Sequence, residues 1–288
     1  MKIPVSIAEK LILLRKGEKV PASKIRHSLI NEMLDNGILK KQIQGRSKAL
    51  IYCLEQQPMN DFLHNHYGIS DLQNYIKALN NTEITRADLV EVSANSKQKT
   101  VRTFKGFLVY CYASIHVHIN SKAMVLNPTE GTFQFIYDFE SFTIPKDITI
   151  IGIENPESFR YIEKQKTLFE SVKPLFVCRY PQSQSKDLLK WLQAIPNNYL
   201  HFGDFDFAGI GIYLHEYKKY LGGKAQFLIP ENIEYLLDNY GNRKLYDSQK
   251  INYDLQAMQE DNLKNLIELL HKYKKGLEQE IFVNNESF

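Results

Sequence analysis

The sequence predicts an α/β protein, and three observations carry the prediction. Residues 147–275 alternate short apolar runs with segments of helical period, the pattern of a sheet assembled through crossover connections. Two of those runs end in carboxylates. The run from Asp147 closes on Glu154, and the run from Tyr199 closes on Asp204 and Asp206, with Gly209 and Gly211 opening the helix behind them. The first 56 residues have another rhythm, in which helix, short strand, helix and basic hairpin follow one another. These patterns divide the chain into 1–56, a mixed helix and strand region over 57–145, and an α/β domain over 146–288.

The composition is that of a globular protein: 43% apolar and 24% charged in 288 residues, long enough for one large or two modest domains. The net charge of +3 is unevenly spread, because residues 1–55 hold 11 Lys and Arg against 5 Asp and Glu, which is +6 and leaves −3 for the rest. The basic end is the one suited to an anion. Cys53, Cys111 and Cys178 are too scattered for a zinc site or a disulfide framework and point to a reducing compartment. The early apolar stretch, Leu11 to Leu14, is too short for a signal peptide or membrane span, so a cytoplasmic protein is expected.

Ile7, Leu11 and Leu14 space a first helix over 6–16, closed by Gly17. An extended piece over 19–22 follows, and Ser23 stands where an N-cap would, ahead of a helix through Ile25, Leu29, Met33 and Leu34 that stops at Gly37. Apolar runs over 38–43 and 49–54 flank a turn at 44–47. This order is that of a winged helix, which lays its second helix in the major groove of DNA and its hairpin along the phosphates. Lys24, Arg26 and His27 fall early on that helix; Lys40, Lys41, Arg46 and Lys48 stud the hairpin. Lys24, Arg26, Lys40, Lys41, Arg46 and Lys48 are therefore the candidate DNA contacts, against the alternative of a protein-binding winged helix with solvated charges.

Residues 58–92 read as helical, with Phe62, Leu72, Tyr75, Ile76 and Leu79 on one apolar face. The polar stretch 93–103 carries Lys97, Lys99 and Arg102 and is a linker or a second phosphate-touching loop. Strand-like runs follow at 107–119, 123–126 and 132–136; His116 and His118 lack a third ligand nearby and read as strand surface. Thereafter strands are expected at 148–153, 175–178, 199–202 and 225–229. Helices are expected at 157–169, 185–195, 210–220, 231–239 and 257–275, the last capped at Gly276.

Alternate residues of an extended chain point the same way, so Asp204 and Asp206 form a paired oxygen site at the end of a strand, where α/β sheets keep their ligands. An Asp-rich solvated turn is the simpler alternative. Three acids at the ends of two buried strands favour the functional one, because carboxylates beside apolar strand ends need a partner to offset their desolvation.

Three motifs in this order, Ile-Glu-Asn-Pro-Glu-Ser-Phe at 153–159, His-Phe-Gly-Asp-Phe-Asp-Phe-Ala-Gly at 201–209 and Gly-Leu-Glu-Gln-Glu at 276–280, resemble a family. They are similar to the Toprim fold of topoisomerases, primases and nucleases, and more finely to the JetD nuclease subunits of Wadjet plasmid-defence systems, relatives of the topoisomerase VI A subunit. The resemblance runs over about 147–281; ahead of that it is architectural. It implies a C-terminal Toprim (Rossmann-like) domain whose Asp204 and Asp206 bind Mg2+ or Mn2+, with Glu154 as third ligand or acid/base group. Glu278 and Glu280 are then candidates for a second metal position, of which Glu280 is the ligand carried forward. The implied function is a metal-dependent DNA endonuclease in defence against plasmids or phage. Its implied partners are double-stranded DNA, a second copy of the chain and SMC-like subunits of a defence complex. The chain departs from the family at Arg179 to Ser183, where a glycine-rich turn is expected.

Topoisomerase VI relatives attach to DNA through a winged-helix tyrosine, and Tyr52 is the candidate here. Strand alternation between Ile51 and Cys53 gives it a packing role instead, so water is the expected attacker. Two further alternatives are a catalytically inactive DNA-binding subunit and a haloacid-dehalogenase-type phosphatase. The retained acids argue against the first. Ala208 and the preceding glutamate strand argue against the second.

Overall fold

Burial of Ile7, Ala8, Leu11 and Leu14 on one side of α1 (Val5–Arg15) starts the first of two compact units, Met1–Thr103 and Phe104–Phe288. The computed structural model describes residues 3–44, 48–81, 84–94, 102, 104–179, 185–255 and 258–284. The chain turns at Gly17, whose φ of 86° is left-handed, into β1 (Val20–Pro21) and a 3-10 turn at Ala22–Lys24. Then come α2 (Ser28–Asp35), β2 (Leu39–Gln44) and β3 (Lys48–Cys53). The three strands form an antiparallel sheet in the order β1-β3-β2, with Leu39 opposite Cys53 and Gln44 opposite Lys48.

The second helix starts later than its sequence suggests. His27 is the N-cap, extended at φ −162°, and its Nδ1 accepts from the Leu29 N–H at 3.2 Å. Ile25 is buried in the core, so residues 22–27 are used to set that side chain before the helix begins. Lys24 therefore lies in the 3-10 turn and Arg26 on the extended approach, both ahead of α2. Among the described residues the helical stretch behind the hairpin is three helices: α3 (Gln56–Tyr67), ended by Gly68 at φ 65°, α4 (Leu72–Asn80), capped by Asp71, and α5 (Arg86–Ser93), with a Thr85/Asp88 capping box. Tyr75, fully buried on α4, donates to the Ile3 carbonyl at 2.9 Å, so these helices share the first unit's core.

The second unit is built on a six-stranded sheet in the order β11-β10-β8-β9-β4-β7. β4 (Phe107–Tyr110), a separate hairpin of β5 (Ile115–Ile119) and β6 (Lys122–Leu126), and β7 (Gln134–Ile136) come first. His116 and His118 lie on the exposed face of β5. β8 (Thr149–Ile153) leads through α6 (Pro156–Arg160) and a 3-10 stretch, Ile162–Phe169, to β9 (Pro174–Cys178). α7 (Ser185–Ala194) leads to β10 (Tyr199–Phe202). α8 (Phe207–Ile212) runs through π-helical turns at Tyr213–Lys218 into α9 (Lys219–Leu221) and β11 (Ala225–Phe227). α10 (Ile233–Tyr240), α11 (Arg243–Ser248), α12 (Asp261–Tyr273) and α13 (Ile281–Asn284) complete the unit.

β11, β10, β8 and β9 are parallel; β4 joins β9 and β7 joins β4 antiparallel. Consecutive side chains of the central strands are buried, Ile150 and Ile151 on β8 and Leu175, Phe176 and Val177 on β9, as a sheet covered on both faces requires. Each such side chain contributes about 1.5–3 kcal/mol by leaving water. α12 is closed by Lys274 in the left-handed region at φ 51°, ahead of the Gly276 stop expected from the sequence. Gly276 instead forms a bridge with Asn242 and lies against Asp206, where a Cβ would be 2.8 Å from the aspartate Cβ. No helix among the described residues is long and apolar enough to cross a membrane.

Candidate functional site

Register brings the two acid-bearing strand ends level. Ile150 to Ile153 of β8 lie beside Tyr199 to Phe202 of β10 in parallel, so the chain leaves both strands at the same edge. β9 lies on the far side of β8, and β11 on the far side of β10. The connections therefore diverge between β8 and β10, and the crevice at such a switch point is where open α/β sheets bind ligands. Glu154 enters it from β8; Asp204 and Asp206 enter it from β10.

Asp206, 4% exposed, is the N-cap of α8. Its Oδ1 accepts from the Gly209 N–H at 2.8 Å, and its Oδ2 accepts from Gln249 Nε2 at 2.7 Å. Gln249 Oε1 accepts in turn from the Ala208 N–H at 3.0 Å. The helix folds back so tightly on the strand end that a Cβ at Gly209 would run into the Asp204 carbonyl oxygen. This close approach, together with the cap, explains the spacing of Asp204, Asp206 and Gly209.

Asp204 Oδ1 accepts from the Gln279 N–H at 2.9 Å. Gln279 is fully buried; its Nε2 donates to the Phe202 carbonyl at 3.0 Å and its Oε1 accepts from the Asn155 N–H at 3.1 Å. One glutamine thus ties the last motif to the ends of both β8 and β10. Phe205 and Leu277 exchange backbone hydrogen bonds at 2.8 and 3.0 Å beside it. Glu280 is carried into the crevice by this pairing. Asn155 Nδ2 donates to its Oε1, while its Oε2 is buried and has no hydrogen-bond partner among the described residues. Glu278 faces solvent.

Burial pushes the Asp204 carboxyl up to about 7; the Gln279 N–H opposes the rise, and the negative charges of Glu154, Asp206 and Glu280 add to it. Glu154 is held from two sides. His201 Nε2 is 3.3 Å from its Oε2, and Arg179 Nη1 is 3.8 Å from its Oε1. Arg179 also forks onto Glu216, with Nη2 at 2.8 Å from Oε1 and Nε at 3.3 Å from Oε2. Burial works against the charge on Arg179, and the hydrogen bond to Glu216 with the attraction of Glu154 raises its pKa regardless. Behind His201, the Tyr199 hydroxyl is 3.0 Å from Nδ1.

All four sequence-predicted acids of the second unit, Glu154, Asp204, Asp206 and Glu280, meet at this crevice. Among the described residues no three His, Cys, Asp or Glu side chains stand together as a ligand set, and each of the four acids is engaged by a protein donor. The donor chemistry nevertheless suits a hard divalent cation: carboxylate oxygens only, mutually repelling, with Glu280 Oε2 buried and unpartnered. Sequence reading missed four contributors. His201 was visible as a polar residue in an apolar strand, Arg179 as a departure from the family turn, and Gln279 within its motif; Gln249 carried no signal.

In the first unit Lys24, Arg26, Lys40, Lys41 and Lys48 are exposed, and Arg46 lies outside the described residues. Lys24, Arg26, His27, Lys41 and Lys48 line a cavity of about 870 Å³ between the 3-10 turn, α2 and the hairpin. Tyr52 is half-buried opposite Lys40, with Lys19 Nζ 5.3 Å from its ring centre.

A family model described as a domain of unknown function, DUF7281, matches residues 108–287. The chain belongs to this family. Glu154, Asp204, Asp206 and Glu280 all lie inside the matched segment of the DUF7281 domain. The chain is also 24% identical over 189 residues to the Wadjet protein JetD of Bacillus cereus (strain Q1), covering 62% of this chain and 44% of that relative. It spans less than half the length of the relative it matches.

Proposed function

We propose that this chain is a Mg2+- or Mn2+-dependent DNA endonuclease of Toprim type, with a winged-helix DNA-binding domain at 1–56, serving a Wadjet-type defence against plasmids or phage. The observation that carries the reading is the convergence of Glu154, Asp204, Asp206 and Glu280 at the β8/β10 switch point, close enough that their charges help to lift Asp204 to about 7. Similarity to a Wadjet JetD protein supports the defence role. The order α1, β1, 3-10 turn, α2 and β2-β3 hairpin, with its exposed lysines, supports the winged helix. Double-stranded DNA is the proposed substrate, and a second copy of the chain and SMC-like subunits are the proposed partners.

Asp204, Asp206 and Glu280 would hold the cation, which when bound supplies positive charge against the scissile phosphate and makes the attacking water more acidic. Asp206 stays aligned by Gly209 and Gln249, and Asp204 by the Gln279 N–H. Glu154 accepts the proton of the attacking water at Oε1, the oxygen that His201 does not hold and that Arg179 Nη1 approaches only to 3.8 Å.

The test is incubation of the full chain with supercoiled and linear DNA, with Mn2+, Mg2+ or chelator. Cation-dependent cleavage that is lost in Asp204→Ala is expected. DNA binding without cleavage in either metal would turn the reading into an inactive DNA-binding subunit. A denaturant-resistant protein–DNA adduct would turn it into a topoisomerase VI-like transesterase.

A further inference from the structure

His201 is 1% exposed in the middle of a sheet, yet both its ring nitrogens have polar partners. Facing a carboxyl oxygen at 3.3 Å, Nε2 is the ring nitrogen placed to donate to Oε2. The other nitrogen, Nδ1, lies 3.0 Å from the Tyr199 hydroxyl, which is placed to donate to it. Burial raises the Tyr199 pKa well above its usual value, so that hydroxyl keeps its proton. Tyr199 also interacts with the Tyr217 hydroxyl, and the line the geometry favours runs from Tyr199 O–H to Nδ1 and from Nε2–H to Glu154.

The surroundings are shaped around this line. A Cβ at Gly203 would stand 2.5 Å from Glu154 Oε2 and 2.8 Å from His201 Nε2, and a Cβ at Gly152 would collide with the Tyr199 hydroxyl. The imidazole is enclosed by Tyr217, Phe227 and Tyr213, with ring centres 5.1, 5.6 and 5.7 Å away. A ring so enclosed has little rotational freedom, as an outer-shell group that orients a ligand must.

We propose that His201, oriented by Tyr199, is a positioning residue that holds Glu154 through Oε2, so that Oε1, which Arg179 Nη1 approaches only to 3.8 Å, is the oxygen that works in the crevice. This assignment rests on the endonuclease reading for what Glu154 does, but not for the geometry itself.

Two measurements test it. Long-range proton–nitrogen correlation of the His201 ring in the full wild-type chain should show hydrogen on Nε2 and a bare Nδ1, and Tyr199→Phe should shift that balance. Hydrogen on Nδ1, or a balance unmoved by Tyr199→Phe, overturns the proposal. The rate of Mn2+-dependent DNA cleavage should fall about 10- to 100-fold in His201→Leu and only a few-fold in His201→Gln, whose amide N–H replaces Nε2–H. Leu cutting as fast as wild type, or Gln as slowly as Leu with both folded, overturns it. Where His201→Leu does not fold, Tyr199→Phe, which removes one oxygen only, carries the test. A wild type that does not cut DNA removes the endonuclease reading, and the tautomer result still decides the positioning.

Discussion

At Asp204 a proton and a cation compete for one carboxylate. Burial, followed by the charges of Glu154, Asp206 and Glu280, lifts the folded value to about 7 from 3.8, against the pull of the Gln279 N–H. The metal-free folded chain therefore binds this proton more tightly than the unfolded chain does. The resulting stability is complete below about pH 3.8 and is lost as pH rises through about 7. At about 1.4 kcal/mol per unit, that interval corresponds to at most about 4 kcal/mol. Melting of the metal-free wild type should fall between pH 5 and pH 8 at constant salt, and Asp204→Asn should remove this component. Mn2+ needs the ionised form, so its affinity should rise about tenfold per pH unit below about 7 and level off above. Calorimetry in two buffers of different ionisation heat should register about one proton released per cation at pH 6 and close to none at pH 8. An Mn2+ affinity independent of pH, with no proton released at pH 6, would refute the coupling.

Four further outcomes are expected. Glu154→Gln should lose most cleavage while keeping its melting temperature, and Tyr52→Phe should cut normally; an inactive Tyr52→Phe protein that still binds DNA would restore the tyrosine as nucleophile. Replacing Lys40, Lys41, Arg46 and Lys48 together by Ala should reduce the salt slope of DNA binding by about one unit for each phosphate no longer neutralised, and an unchanged slope would move the DNA surface elsewhere. Asp206→Asn should keep the α8 cap, since Asn caps as well as Asp, yet weaken Mn2+ binding; equal losses of stability and affinity would contradict that separation. Gly209→Ala should destabilise by about 1–3 kcal/mol in denaturant titration, because the new methyl meets the Asp204 carbonyl; a neutral effect would mean that the helix start can shift.

The hairpin strands, the strands that end at Glu154 and Asp204, and the apolar faces of α1 and α12 were legible in the sequence because each depends on periodicity within a few neighbouring residues. That Asp204 and Asp206 follow the end of a buried strand was legible for the same reason, whereas their separate partners, the Gln279 N–H for Asp204 and Gly209 with Gln249 for Asp206, were not. Boundaries set by competing caps were less legible: α2 starts only after His27, its N-cap, because Ile25 is claimed by the core, and Lys274 rather than Gly276 ends α12. Strand order was not legible. Neither the β8/β10 pairing nor the recruitment of β4 and β7 to the sheet leaves a trace in local period, since backbone pairing is indifferent to distance along the chain. The same holds for the groups that finish the crevice. Gln279 lies 75 residues from the Asp204 it holds, Gln249 lies 43 from Asp206, and His201 lies 47 from Glu154. Such pairings exist only after the sheet has brought its strand ends level, so the sequence determined which side chains were available, and the tertiary structure decided which of them share one charge.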